Sequence, residues 1–220
     1  MTAGKILDLS HPIEPGMVTY PGLPGPAVSE FLSREASVAR YAPGTTFSIG
    51  RVDLVANTGT YVDAPFHRFE GGADIAGLRL ERLADLPGVV LAKGQGRSFD
   101  ALLFGKVDLR GKAVLLRSGW DANWRTPAYG EGNPFVTRAA AELLASSSAA
   151  LVGIDSLNID DTADLERPAH TSLLAAGIPI VEHLCNLAAL PASGFRFFAV
   201  PAPFARMGSF PVRAFAILDS

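Results

Sequence analysis

The stretch from Asn57 to His67, NTGTYVDAPFH, crowds an amide, two threonines, a phenol, an acid and an imidazole into a short length of chain. Asp63 and His67 are the pair that could exchange protons with a substrate. Val52, Leu54 and Val55 precede the stretch and predict a strand leading into it. If the extended backbone continues, side chains alternate between faces. Asn57, Gly59, Tyr61 and Asp63 then share one face, and Thr58, Thr60 and Val62 the other. Pro65 cannot donate to a ladder, so the strand ends near it. His67 comes off the following turn and can fold back towards Asp63. An acid and a base meeting at a strand end make a candidate reactive site.

The rest of the chain must hold that site in place. Residues 5–13 (KILDLSHPI) read as a strand ending at Pro12, and the proline- and glycine-rich EPGMVTYPGLPGP as a loop with fixed corners. Residues 45–56 read as a strand. Leu78 to Leu86 read as a short helical or turn segment. The apolar runs at 87–92, 112–118 and 149–154 read as buried strands. Residues 134–148 are the clearest helix, with Thr137 as a candidate N-cap and Ala139, Ala140, Leu143 and Leu144 as its apolar face. The acidic LNIDDTADLERP reads as a solvated connection for most of its charges. A short helix follows Pro168 and stops at Gly177. Residues 178–182, 195–201 and 211–218 supply the last strands. Many strands and few helices predict a single mixed α/β domain, β-rich, over residues 1–220.

The 220 residues are 48% hydrophobic with a net charge of −3. Acids and bases are interspersed, which argues against a nucleic-acid or membrane-surface partner. One cysteine, Cys185, excludes an internal disulfide framework and fits a reducing compartment. No apolar run reaches the roughly 18–20 residues of a membrane span, and no signal-peptide core is visible. A cytoplasmic location is expected. No G-x-S-x-G elbow is present, so a serine hydrolase is not the expectation. Asp155 and Ser156 follow a buried strand at the end where α/β folds expose functional groups. Trp120 and Trp124 read as packing anchors or as a pocket wall.

These residues resemble the signature of the cyclase family, which includes bacterial kynurenine formamidases and related metal-dependent hydrolases. The signature H-x-G-T-H-x-D-x-P-x-H is matched by Gly59, Thr60, Asp63, Pro65 and His67. Asn57 and Tyr61 stand where it has its first two histidines. DLSHPI, LLRSGW and VGIDS carry the resemblance along the chain, as do the contexts of His170 (P-x-H-x-x-L-L-x-x-G-I) and Glu182 (I-V-E-x-L-x-N-L). The resemblance implies a swivelling β/β/α fold and a binuclear site. Two histidines and the aspartate hold one ion, and the aspartate shares a second with a later His and Glu. It also implies a proton-shuttling role for His67, an aromatic such as Tyr20 over the substrate, and a homodimer or larger homo-oligomer. Asn57 is a poor zinc ligand, and Tyr61 ligates well only as phenolate. One divalent ion, Zn²⁺ or Mn²⁺, on Asp63, His170 and Glu182 is the expectation. Tyr20, Asn57, Tyr61 and Trp120 are candidate substrate contacts. The leading reading is a hydrolase of an amide, aryl-formamide, cyclic amide or lactone bond of a small molecule. The alternatives are a metal-free cyclase, lyase or isomerase using His67 and Asp63, and a non-catalytic small-ligand-binding relative.

Overall fold

Unbroken apolar runs form the middle of the sheet. Ala113–Leu116 and Leu151–Ile154 are buried throughout, as parallel strands covered on both faces must be. The computed structural model describes residues 4–105 and 107–218. Its strands begin with β1 (Ile6–Asp8), β2 (Ala27–Leu32), β3 (Ile49–Asp53), β4 (Tyr61–Asp63), β5 (Leu86–Ala92) and β6 (Ser98–Phe99). They continue with β7 (Ala113–Arg117), β8 (Phe135–Val136), β9 (Leu151–Ile154), β10 (Ile180–Glu182), β11 (Ser193–Phe198), β12 (Ser209–Pro211) and β13 (Phe215–Leu218). The helices are α1 (Arg34–Ser37), α2 (Arg138–Ser146) and α3 (Pro168–Ala175).

Nine strands make one mixed sheet in the order β1-β13-β11-β5-β7-β9-β10-β4-β12. The β5-β7-β9-β10 neighbours run parallel, and the outer pairs are antiparallel. Alternation along β7 builds two cores. Ala113 and Leu115 join Val62, Leu184 and Phe197 on one face. Val114 and Leu116 join Ala140, Leu144 and Leu173, from α2 and α3, on the other. Thr137 caps α2 as expected, its Oγ1 accepting from the Ala140 amide at 3.3 Å. The helix is shorter than 134–148, because Phe135 and Val136 pair with β6 instead. Ala140, Ala141 and Leu144 form its buried face, and Ala139 is exposed.

The segment expected as one strand over 211–218 is two. β12 pairs with β4 at one end of the sheet order, and β13 lies beside β1 near the other. Seven strand spacings would separate them by roughly 33 Å in a flat sheet. The few residues from Pro211 to Phe215 span at most about 14 Å. The sheet therefore curls until its ends approach. The Val212 amide bonds the Thr60 carbonyl and the Ala214 amide bonds Ser10 Oγ, at 2.9 and 2.6 Å, along the crossing.

The strand expected over 45–56 also differs. β3 pairs with β2 in a separate exposed ribbon, and the chain bends before β4. Thr58 Oγ1 turns back to the Val55 carbonyl at 2.7 Å, a local bond that competes with a ladder. Gly59 takes φ +67°, and a Cβ there would meet Ile13 Cγ1 at 2.9 Å. No helix among the described residues is long and apolar enough to cross a membrane.

Candidate active site

Strand register puts four functional side chains on one face. In β4, Tyr61 and Asp63 are two residues apart and so point the same way. Glu182 of β10 lies directly opposite Tyr61, and Ser209 of β12 directly opposite Asp63. Directly opposed residues share a face. Asn57 reaches the same place from the bend rather than along an extended strand. His67 ends a single 3₁₀ turn, Pro65–His67, and His170 lies in the first turn of α3.

These groups converge. His170 Nε2 is 3.6 Å from Asp63 Oδ2 and 3.7 Å from Glu182 Oε1. His67 Nδ1 is 3.9 Å from Asp63 Oδ1, and the two imidazole rings are 5.8 Å apart. One donor atom each from Asp63, His67 and His170 lie within 4.8 Å of one another, a grouping that could hold a metal ion. Asp63, Glu182 and His170 are buried, and the His67 side chain is 37% exposed. A cleft of about 330 Å³ opens beside them, lined among others by Tyr20, Asn57, Tyr61, His67, His170 and Glu182. Trp120 is not among its lining residues. Its Nε1 donates to the Tyr129 carbonyl at 3.1 Å and braces the loop after β7. That contact makes it a packing anchor.

Hydrogen bonds fix the protons. Ser209 Oγ contacts both Asp63 Oδ1 and His67 Nδ1, the latter at 3.0 Å. A hydroxyl carries one hydrogen, and an ionised carboxylate can only accept. Burial raises the Asp63 carboxyl, but the neighbouring His170, His67 and Ser209 outweigh it and hold it below the usual range. Ser209 therefore donates to Asp63 and accepts from Nδ1–H of His67. In the neutral ring this leaves the lone pair on Nε2. Asn57 Nδ2 also donates to Ser209, at 3.3 Å.

Asp160 does the same for His170. Its Oδ2 takes the His170 ring Nδ1 at 2.6 Å and the His170 amide at 3.2 Å, and its Oδ1 takes the Ala169 amide at 2.6 Å. Burial works against a charged His170, but Asp160, Asp63 and Glu182 around it prevail and raise it to about 10. Burial lifts Glu182 to about 7. Its Oε2 accepts from Tyr61 Oη at 2.5 Å and its Oε1 from the Ile159 amide at 2.6 Å. Burial, then the Glu182 and Asp63 charges, push the Tyr61 phenol well above 10. Tyr61 is thus a neutral donor to Glu182.

Several residues of the site escape a linear reading. Asp160 was expected in a solvated acidic loop and is fully buried. Its position before Pro168 and His170 was the available signal, since a helix start favours an acid. Asp155 is likewise buried, accepting from the Ser118 amide and hydroxyl and the Gly119 amide at 2.7, 2.6 and 2.8 Å. It shapes the loop after β7. Ser209 carries no sequence signal. His183, next to Glu182 in the chain, takes φ +56°, and its Nδ1 pairs with Tyr129 Oη at 2.8 Å.

The putative cyclase family model matches residues 7–161, most of the chain. The chain belongs to the putative cyclase family. The kynurenine formamidase of Polaromonas naphthalenivorans (strain CJ2) is 28% identical over 211 residues, covering 96% of this chain and 89% of that one. That of Bacillus cytotoxicus is 26% identical over 215 residues, covering 97% and 98%. A solved structure described as a potential metal-dependent hydrolase with cyclase activity superposes with a TM-score of 0.79 at 26% identity, covering 97% of this chain and 98% of that one. Isatin hydrolase A from Labrenzia aggregata superposes at 0.80 with 21% identity, covering 98% and 94%, and shares the fold. The mixed, β-rich cyclase fold expected from the sequence is the one found.

Proposed function

We propose that this cyclase-family chain hydrolyses an amide, aryl-formamide, cyclic amide or lactone bond of a small molecule. The reading has one divalent ion, Zn²⁺ or Mn²⁺, held by Asp63, His170 and Glu182. One observation carries it. Asp63 Oδ2 is buried with no hydrogen-bond partner, and His170 Nε2 faces it at 3.6 Å. A buried, unpartnered carboxylate oxygen is costly, and a cation answers that cost. The surroundings suit one. Asp160 fixes the ring through Nδ1–H, the outer carboxylate that histidine ligands commonly have. The carboxylates that favour a proton on Nε2 favour a metal ion in its place. The names of the kynurenine formamidase relatives and of the 26%-identical metal-dependent hydrolase support the reading.

A divalent ion there supplies a polarised carbonyl and a water made acidic near neutral pH. The chain supplies the rest. His67 Nε2, freed by the Ser209 hydrogen bond, takes the proton of the attacking water and returns it to the leaving nitrogen. Its partial exposure at the cleft gives it access to both. Tyr61 and Asn57 wall the cleft where the family resemblance places two histidines, and the neutral Tyr61 phenol holds Glu182 in place.

The closeness of His67 to Asp63 and His170 favours a second reading, in which His67 is itself a ligand. Elemental analysis of protein purified without chelators, wild type and His67→Ala, separates the two. The leading reading expects about one equivalent of metal in both proteins, with formanilide turnover down about 10²–10⁴-fold in the variant. Loss of metal along with activity favours the second reading. A wild-type protein with no metal, and no response to added Zn²⁺ or Mn²⁺, refutes both.

A further inference from the structure

Two guanidinium groups line the cleft that the hydrolytic reading leaves unused, those of Arg68 and Arg167. Arg68 is exposed at the rim, over the Phe69 ring at 5.3 Å, with Nε 3.3 Å from Thr171 Oγ1. Arg167 is half-buried, and its Nη1 is shut off from solvent without a hydrogen-bond partner. Among the described residues, three neighbouring acids are committed elsewhere, and Asp164 Oδ1 accepts from the Glu166 amide. Glu166 pairs with Arg138, Asp161 with Arg97, and Asp160 with His170. A guanidinium stays charged at any pH the protein meets. A buried charged donor without an acceptor is an unfavourable arrangement.

The backbone of Arg167 is also held unfavourably. It has φ +50° and ψ +59°, the left-handed region that glycine and asparagine enter most easily. It occupies the N-cap position of α3 yet makes no side-chain cap bond. Neither helix capping nor an internal ion pair explains an arginine here. Strained residues of this kind persist where a function uses them.

We propose that Arg167, with Arg68 at the rim, binds a carboxylate on the substrate, separate from the bond that is cleaved. The planar fork of the guanidinium matches a carboxylate through two parallel hydrogen bonds. With the carboxylate held by Arg167, the amide is left for His67, which lines the same cleft. The cleft of about 330 Å³ has room for one ring and its substituents. The substrate class is therefore small amides that carry a carboxylate. The cleaved bond rests on the hydrolytic reading, whereas the anion site does not.

Two measurements test this. The first compares kcat/KM for N-formylanthranilate and formanilide, which share the aryl formamide and differ in the carboxylate. Arg167→Met should lower the preference for N-formylanthranilate by about 10–100-fold, mostly through KM, and Arg167→Lys should recover part of it. An unchanged preference overturns the proposal. The second is calorimetric binding of anthranilate, which needs no turnover. Arg167→Met should weaken it about tenfold or more. Equal affinity in wild type and variant, or no binding to wild type, overturns the anion site. If Arg167→Met does not fold, Arg167→Lys and Arg68→Met carry the same comparisons. If neither formamide is cleaved while anthranilate binding depends on Arg167, the hydrolytic reading fails and the anion site stands.

Discussion

At the scale of single residues, the site depends on which nitrogen of each imidazole is occupied. Ser209 occupies Nδ1 of His67 and Asp160 occupies Nδ1 of His170, at 3.0 and 2.6 Å. In both rings Nε2 is left for chemistry. Asp160 makes the stronger claim, because its carboxylate also bonds two amides of α3 and cannot turn away. Asp160→Asn keeps the shape and removes the charge. It should weaken Zn²⁺ or Mn²⁺ binding about 10–100-fold, read by competition with a chromophoric chelator. Unchanged affinity would show that His170 is not a ligand.

At the scale of elements, β12 and the turn carrying His67 are pressed together backbone to backbone. The Ala64 amide donates to the Gly208 carbonyl at 2.7 Å. A Cβ at Gly208 would lie 2.6 Å from His67 Cα and 2.8 Å from its amide nitrogen. Both atoms are main chain, so neither can swing aside. Gly208→Ala must push the turn away from Ser209 and spoil the His67 hydrogen bond. The expected outcome is a loss of about 1–3 kcal/mol in stability and a fall in kcat exceeding any change in metal content. Denaturant unfolding, kinetics and elemental analysis together read this. Wild-type kcat in the variant would show that the turn is not positioned by this contact.

At the scale of the whole molecule, the curl of the sheet is fastened by contacts between distant segments. The His11 ring stacks on Trp124 at 4.0 Å with 8° between planes. The His11 amide bonds Thr60 Oγ1, which in turn donates to the His183 carbonyl, at 3.1 and 2.6 Å. Burial lowers His11 from 6.5 to about 4, and its Nε2 is buried without a partner. Between those values the unfolded chain binds the proton and the folded one does not. Stability from this group is therefore complete above about pH 6.5 and is lost as pH falls towards about 4. The slope approaches 1.4 kcal/mol per pH unit at most. His11→Phe keeps a ring for stacking and removes the titration, so its urea midpoint should fall less steeply over that window. Parallel pH profiles for the two proteins would rule His11 out as a source of acid sensitivity.

The sequence alone determined what depends on neighbours along the chain. Buried strands followed from apolar runs such as Val114–Leu116, the start of α2 from Thr137, and the end of α3 from Gly177. Asp63 and His67 stood out because four residues of separation and a proline already confine them. His170 and Glu182 were legible only through their contexts. What tertiary structure decided is long-range. Closure of the sheet brought Ser209 within reach of Asp63, 146 positions away, and split the last apolar segment between β12 and β13. Folding of the acidic loop beneath α3 buried Asp160 against His170. A side chain's local pattern records its propensity, while its partner is set by which strands meet, and the curl of the sheet chose those partners here.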